Sequence, residues 1–456
     1  MPEALSPLAQ TLLARIETGE LRAGVRLSSI RHLSLEAGVS RYAVLTAYRE
    51  LEGQGLVEAR HGSGFYVSRV VRGRQPLRTS PSLDSLLDTA LLIRGFVEPT
   101  ALLKCGSGML PGDWLQDLNL ARHVRSVAAR PSADLHDYGT ALGDPALREA
   151  LQGRLARRRI AAAPDQVVLT TGISHGLELV LRALCHPGDL VCVENPAYYN
   201  LFGLLQLSGL RMREIPRTPE GPDLDALEAL LKEGEVPRLC FLQPLLHNPT
   251  GTSMGPAAAH RLLLLAEQYD FLVVEDDAYA DLAEDADLRL AALDGLRRVV
   301  HLSGFTKTLS ANLRVGYVAA SPAITDAVAR AKLLTSIASS AFVERVVLRV
   351  LTDGAYDRLM PLLRQRLAAA QATWEQELAR TEWQIFLGER RGMFVWARHP
   401  RWPDSVPLAK AAASAGLWLA PGSAFDPEHR VSPWVRFNVA YRSLALSAWL
   451  KKPGGG

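Results

Sequence analysis

Ser303-Gly304-Phe305-Thr306-Lys307-Thr308-Leu309 sets one lysine just beyond an apolar run, residues 298–303, that reads as a β-strand. A lysine in such a loop is ordinarily a solvated side chain. Here hydroxyl residues and glycine crowd it and Arg314 follows seven positions on, which is what a Schiff-base lysine beside a phosphate requires. Outward from this point, short β-rich runs alternate with longer helical patterns: strands at residues 167–170, 190–193, 238–242 and 271–275, helices at 174–185, from 197, and at 255–269. The alternation predicts a mostly parallel sheet sandwiched by helices, with ligands at the carboxyl ends of the strands. The final ~120 residues turn to long helices and then a smaller α/β subdomain.

Three further segments place polar residues where such strands end. Glu275-Asp276-Asp277-Ala278-Tyr279 offers a carboxylate suited to a protonated pyridine nitrogen and a phenol suited to a phenolate oxygen. His247-Asn248-Pro249-Thr250-Gly251 is a turn by composition, and the Asn248 amide suits the same oxygen. Thr170-Thr171-Gly172-Ile173-Ser174-His175-Gly176 is a strand-to-helix turn whose backbone N–H groups and helix dipole suit a phosphate. Singly, each reads equally well as a solvated strand end or a glycine turn.

Residues 1–68 have a different rhythm: three helices, then strand, tight turn and strand. Leu8, Leu12, Leu13 and Ile16 share one helical face; a second helix spans about 29–37, ended by Gly38; a third is capped by Ser40 and runs to about 54. This is the order of a winged helix-turn-helix, in which the helix opening at Ser40-Arg41-Tyr42 would enter the major groove. Arg41 suits guanine or a phosphate, and Ser40 suits a helix cap or a phosphate. Arg31, Arg60 and His61 add charge on one face, and Gly62 and Gly64 let the wing approach DNA closely. Residues 69–100, rich in Arg, Ser and Pro, read as a linker to the second domain, 101–450.

Charge supports that division. Residues 1–75 carry ten arginines against seven glutamates, the whole of the chain's net +3. With 48% apolar and 22% charged residues, the chain is neither disordered nor fibrous. No apolar run approaches the ~20 residues of a membrane span, and no secretory signal is visible, so the cytoplasm is the expected location. Cys105, Cys185, Cys192 and Cys240 have no metal-binding spacing and read as reduced core thiols; no metal is expected.

The runs Gly24-Val25-Arg26-Leu27-Ser28-Ser29-Ile30-Arg31, Gly38-Val39-Ser40-Arg41 and Gly62-Ser63-Gly64-Phe65-Tyr66-Val67 resemble the GntR family of bacterial winged-helix repressors over essentially all of residues 5–67. Ser28 stands where that family usually has proline, and Tyr42 where many members have threonine. The four segments of the larger part, in this order and spacing, resemble fold-type I enzymes that use pyridoxal 5′-phosphate, specifically class I aminotransferases. That resemblance implies that Lys307 forms the internal aldimine, Asp276 holds the pyridine nitrogen, and Tyr279 and Asn248 bind the ring hydroxyl. Thr306, Arg314 and the amides of Gly172, Ile173 and Ser174 would clamp the phosphate. Tyr198, in Asn195-Pro196-Ala197-Tyr198, falls where an aromatic stacks on the cofactor. Arg436, in Trp434-Val435-Arg436-Phe437-Asn438, matches the arginine that grips a substrate α-carboxylate. Tyr138 resembles the tyrosine that reaches the phosphate of a neighbouring subunit, which implies a homodimer with shared active sites. Two departures stand out: Gly304 replaces a hydroxyl residue common three positions before the lysine, and His175 occupies a variable place in the phosphate turn.

A GntR-like reader fused to such a domain resembles the MocR subfamily of transcription regulators. It implies binding to a double-stranded DNA operator and sensing of an amino acid, an amine or pyridoxal phosphate itself. The alternative readings are an active aminotransferase with an accessory DNA-binding domain, and an inert scaffold.

Overall fold

The computed structural model describes residues 6–17, 20–21, 24–54, 56–60, 63–68, 102–129 and 136–454. The expected linker, and His61 and Gly62 of the expected wing, lie outside the described residues. The chain divides into two units, residues 1–83 and 84–456.

In the first unit α1 (Pro7–Glu17), α2 (Ile30–Glu36) and α3 (Arg41–Gly53) precede a hairpin of β1 (Val57–Arg60) and β2 (Gly64–Val67). Serines start two of the helices: Ser29 Oγ accepts from the His32 amide at 3.2 Å and Ser40 Oγ from the Ala43 amide at 3.1 Å. Apolar residues at helical spacing, Val44, Ala47, Tyr48 and Leu51, close one core with Leu12, Ile16, Leu33 and Val67. Tyr48 donates to the Ser28 carbonyl at 2.7 Å, tying α3 to the turn where proline is absent. Burial pushes the Tyr48 phenol up to about 12, so it stays a donor.

The second unit is built on an eight-stranded sheet in the order β3-β10-β9-β8-β7-β4-β5-β6. These strands are β3 (Val167–Thr170), β4 (Leu190–Asn195), β5 (Arg211–Thr218), β6 (Gly221–Pro222), β7 (Leu239–Leu242), β8 (Leu272–Asp277), β9 (Val299–Gly304) and β10 (Gly316–Ala319). Strands β5, β4, β7, β8 and β9 run parallel; β10 opposes both β3 and β9. Alternate residues feed two separate cores, as a sheet covered on both faces requires: Val274 and Val168 on one side, Val273, Val167 and Leu169 on the other. The reversal at β10 was not expected from the sequence. The link from Gly304 to Gly316 is too short for the helical crossover a parallel strand needs.

A long helix, Ala355–Leu378, leads to a four-stranded antiparallel sheet, β11 (Gln384–Ile385), β12 (Phe394–Arg398), β14 (Trp434–Asn438) and β13 (Ala420–Pro421). Of the four cysteines, Cys105, Cys192 and Cys240 are buried, whereas Cys185 is only half-buried, a correction to the core assignment; all are free thiols. Among the described residues no helix is long and apolar enough to cross a membrane.

Candidate functional site

The carboxyl ends of β3, β7, β8 and β9 converge on one pocket with about 540 Å³ of empty space, part of it open to solvent. Ile173, Ser174, Tyr198, Asn248, Asp276 and Tyr279 line it, together with Thr306, Lys307 and Arg314. Nine positions singled out in five separate sequence segments thus line one pocket.

Lys307 follows the end of β9. Its Nζ lies 3.5 Å from Met109 Sδ and 6.0 Å from the Tyr279 ring centroid. Burial, and then the Arg436 charge, lower its pKa to about 8, while Asp276 pulls the other way. The Asp276 carboxyl is raised to about 7 by burial and then by Asp277. Its Oδ1 is buried with no hydrogen-bond partner. A carboxyl held this way suits a ligand that brings a proton to it, such as a pyridinium. Burial likewise pushes the Tyr198 and Tyr279 phenols up, which keeps both as donors.

Gly172 opens the helix Gly172–Leu184 two residues before the sequence pattern placed it. At φ +77 it sits where a Cβ would lie 2.5 Å from the Arg314 guanidinium. Only glycine leaves room for that arginine over the helix start, and Arg314 Nη1 also reaches Thr306 Oγ1 at 3.4 Å. The result is an anion cup of helix amides facing a cation. His175 Nδ1 accepts from the Thr171 amide at 3.1 Å, and burial lowers its pKa, so the neutral ring helps to cap the turn. Gly304 has its own reason: a Cβ there would stand 2.9 Å from the Val315 carbonyl oxygen. The close pass of the chain entering β10 excludes a side chain at this position.

Arg436 is 1% exposed, between the Phe394 and Phe425 rings at 4.7 and 4.8 Å. It donates to Asn248 Oδ1 at 2.6 Å and to the Gly106 carbonyl at 2.6 and 3.2 Å. Both of its Nη atoms and Lys307 Nζ lie within 3.8 Å of where a Gly108 side chain would begin. The lysine and the arginine thus border the same small space.

Gln243 was missed in the sequence. It stands just past the apolar strand β7, lines the pocket, and its Oε1 accepts from the Asn248 amide at 2.9 Å. A polar residue closing an apolar run was the available signal. Gly106, Gly108 and Met109 gave none. Tyr138 is not brought to the pocket; it is 80% exposed on this chain.

In the first unit Arg31 and Arg41 are exposed, Tyr42 is 78% exposed, and Ser40 serves as a helix cap. Arg60 pairs with Glu58 and lies 4.4 Å over the Tyr66 ring. Gly64 has φ +102, and the Arg26 guanidinium lies 3.4 Å from where its Cβ would be, a basic wing residue not singled out earlier.

A model of bacterial regulatory proteins of the gntR family matches residues 6–67, and a model of class I and II aminotransferases matches residues 101–446. The chain belongs to the MocR-type regulators of the GntR family. It is 30% identical over 450 residues to an uncharacterized HTH-type transcriptional regulator of Escherichia coli, YdcR, covering 95% of this chain and 94% of that protein. It is 27% identical to the probable rhizopine catabolism regulatory protein MocR of Rhizobium meliloti, covering 91% and 85%. Among solved structures it is similar to Pyrococcus horikoshii kynurenine aminotransferase, with a TM-score of 0.72 and 25% identity over 85% of this chain and 95% of that one. The MocR-type chain thus joins a winged helix-turn-helix to an aminotransferase fold.

Proposed function

We propose that this protein is a bacterial, cytoplasmic, homodimeric transcription regulator that holds pyridoxal 5′-phosphate on Lys307. It answers an amino acid, an amine or the cofactor itself by changing its grip on an operator. The observation that supports this most is the pairing, in one pocket, of a lysine of depressed pKa with a buried, partnerless carboxyl oxygen. When bound, the cofactor supplies an aldehyde and an electron-withdrawing ring.

The chain's own groups then have separable tasks. Asp276 holds a proton against the ring nitrogen, and Tyr279 and Asn248 orient the ring hydroxyl. The amides of Gly172, Ile173 and Ser174 hold the phosphate together with Thr306 and Arg314, and Tyr198 covers the ring. Lys307 Nζ, whose ammonium form burial and Arg436 disfavour, is placed to take up or release a proton once it is free of the cofactor. Arg436 holds a carboxylate beside it, for which a guanidinium fork is suited. Tyr138, exposed, reaches the phosphate site of a second subunit. On DNA, Arg41 and Tyr42 meet base edges and Arg31, Ser40, Gly64 and Arg60 the backbone, with His61 and Gly62 in the wing.

The shared space beside Lys307 and Arg436 also favours a second reading, an aminotransferase that turns over. One experiment separates them: operator footprinting with amino compounds added, run in parallel with an assay for amino transfer to an oxo acid. The regulator predicts a shifted footprint without sustained turnover, and loss of the shift in Lys307→Ala. Turnover with an unresponsive footprint would establish the enzyme instead.

A further inference from the structure

The helix Pro145–Arg157 ends with Arg154 and Arg157, and Arg158 closes it. Cations in a last turn answer the helix dipole. That accounts for their presence but not for what they face. Arg364 and Asp357 from the helix Ala355–Leu378, with Asp281 and Asp285 from beyond β8, complete a cleft of about 620 Å³. None of its lining residues belongs to the Lys307 pocket.

Each arginine here has a carboxylate within 4 Å, Arg364 being held by Glu284 at 3.2 Å and by the Asp281 and Ala283 carbonyls, but the closeness of the pairs differs. Arg154 and Arg158, both buried, share one buried carboxylate, Asp281, which also accepts from the Tyr356 hydroxyl at 2.7 Å. The other carboxylates, Asp285 and Asp357, are half exposed. Apart from an Arg154–Asp357 contact of 2.6 Å, they stay 3.6–3.8 Å from Arg157 and Arg158. Arg158 Nε is buried with no hydrogen-bond partner, its carboxylate neighbour Asp285 Oδ1 standing off at 3.6 Å. A buried guanidinium N–H without an acceptor is costly, and an anion with several oxygens would supply acceptors. A tetrahedral dianion presents them in more directions than one carboxylate does, which suits arginines arriving from two helices.

Asp281 also leads inward. Tyr356 links it to the Thr308 hydroxyl through a short hydrogen bond, and Thr308 is the residue after Lys307. We infer that the cleft binds a small phosphate-bearing anion between Arg157, Arg158 and Arg364, and that its occupancy reaches the Lys307 loop through Asp281, Tyr356 and Thr308. An anion that draws Arg158 away from Asp281 strengthens the Asp281–Tyr356 bond, and this differential contact biases the loop.

The test is calorimetric titration of full-length, cofactor-loaded protein with inorganic phosphate at constant ionic strength, while the visible cofactor band is recorded. Loaded protein is used because its phosphate cup at Gly172 is already filled. Saturable binding is expected, weakened about tenfold or more in Arg157→Gln and in Arg364→Gln. Both positions are partly exposed, and an unchanged unfolding curve for each variant is the control that it folds. The band should change in step with occupancy, and Tyr356→Phe should bind phosphate yet lose that response. No saturable binding, or unchanged binding in both arginine variants, overturns the site. Binding without a spectral change in the parent protein overturns the relay. Loss of binding in Arg157→Gln and Arg364→Gln reports the cleft and not the Gly172 cup, so failure here is separable from failure of the cofactor assignment.

Discussion

At Asp276, burial and the neighbouring Asp277 both disfavour the charge, and the carboxyl titrates near 7 instead of 3.8. The unfolded chain releases this proton near 3.8 and the folded chain near 7, so stability falls as pH rises across that interval, and the full cost stands above 7. In cofactor-free protein, Asp276→Asn should therefore raise stability at pH 8 by about 1–3 kcal/mol, as read by urea denaturation, with the gain gone near pH 4. The same variant should release pyridoxal phosphate more readily on dilution. Destabilisation at pH 8 would mean that Asp276 is held by partners the pocket does not reveal. Such single residues were legible in the sequence because each interrupts an apolar run at a strand end, as Asp276 does after Val273 and Val274. The partnership of Arg158 with Asp281 was not, since 123 residues separate them and neither sits in a distinctive motif.

Among elements, α3 opens on two adjacent residues that differ in structural role. Ser40 caps the helix while Arg41 stands exposed on its first turn. Ser40→Ala should cost about 1 kcal/mol of stability in the DNA-binding unit. Arg41→Ala should leave the unfolding curve unchanged and weaken operator binding, measured by fluorescence anisotropy; equal loss of stability in both would remove Arg41 from the DNA face. The helices and hairpin of this unit were readable from serine caps and apolar spacing, and the parallel strands from their alternation with helices. The antiparallel β10 was not, because Gly316-Tyr317-Val318-Ala319 carries no sign of direction and only the shortness of the preceding link dictates it. Gly304 belongs to the same lesson: it looked like a departure in the phosphate loop, and the backbone of β10 explains it.

For the whole molecule, the sequence yields two units of different rhythm, with the excess positive charge confined to the smaller. In the function proposed above, what joins them is the chemistry at Lys307. The most direct measurement is borohydride reduction of purified protein loaded with pyridoxal 5′-phosphate, followed by peptide mapping. One cofactor equivalent per chain, fixed on the peptide that carries Lys307 and absent from Lys307→Ala, is the predicted result. A colourless protein that fixes no label, or label distributed over surface lysines, would contradict the account.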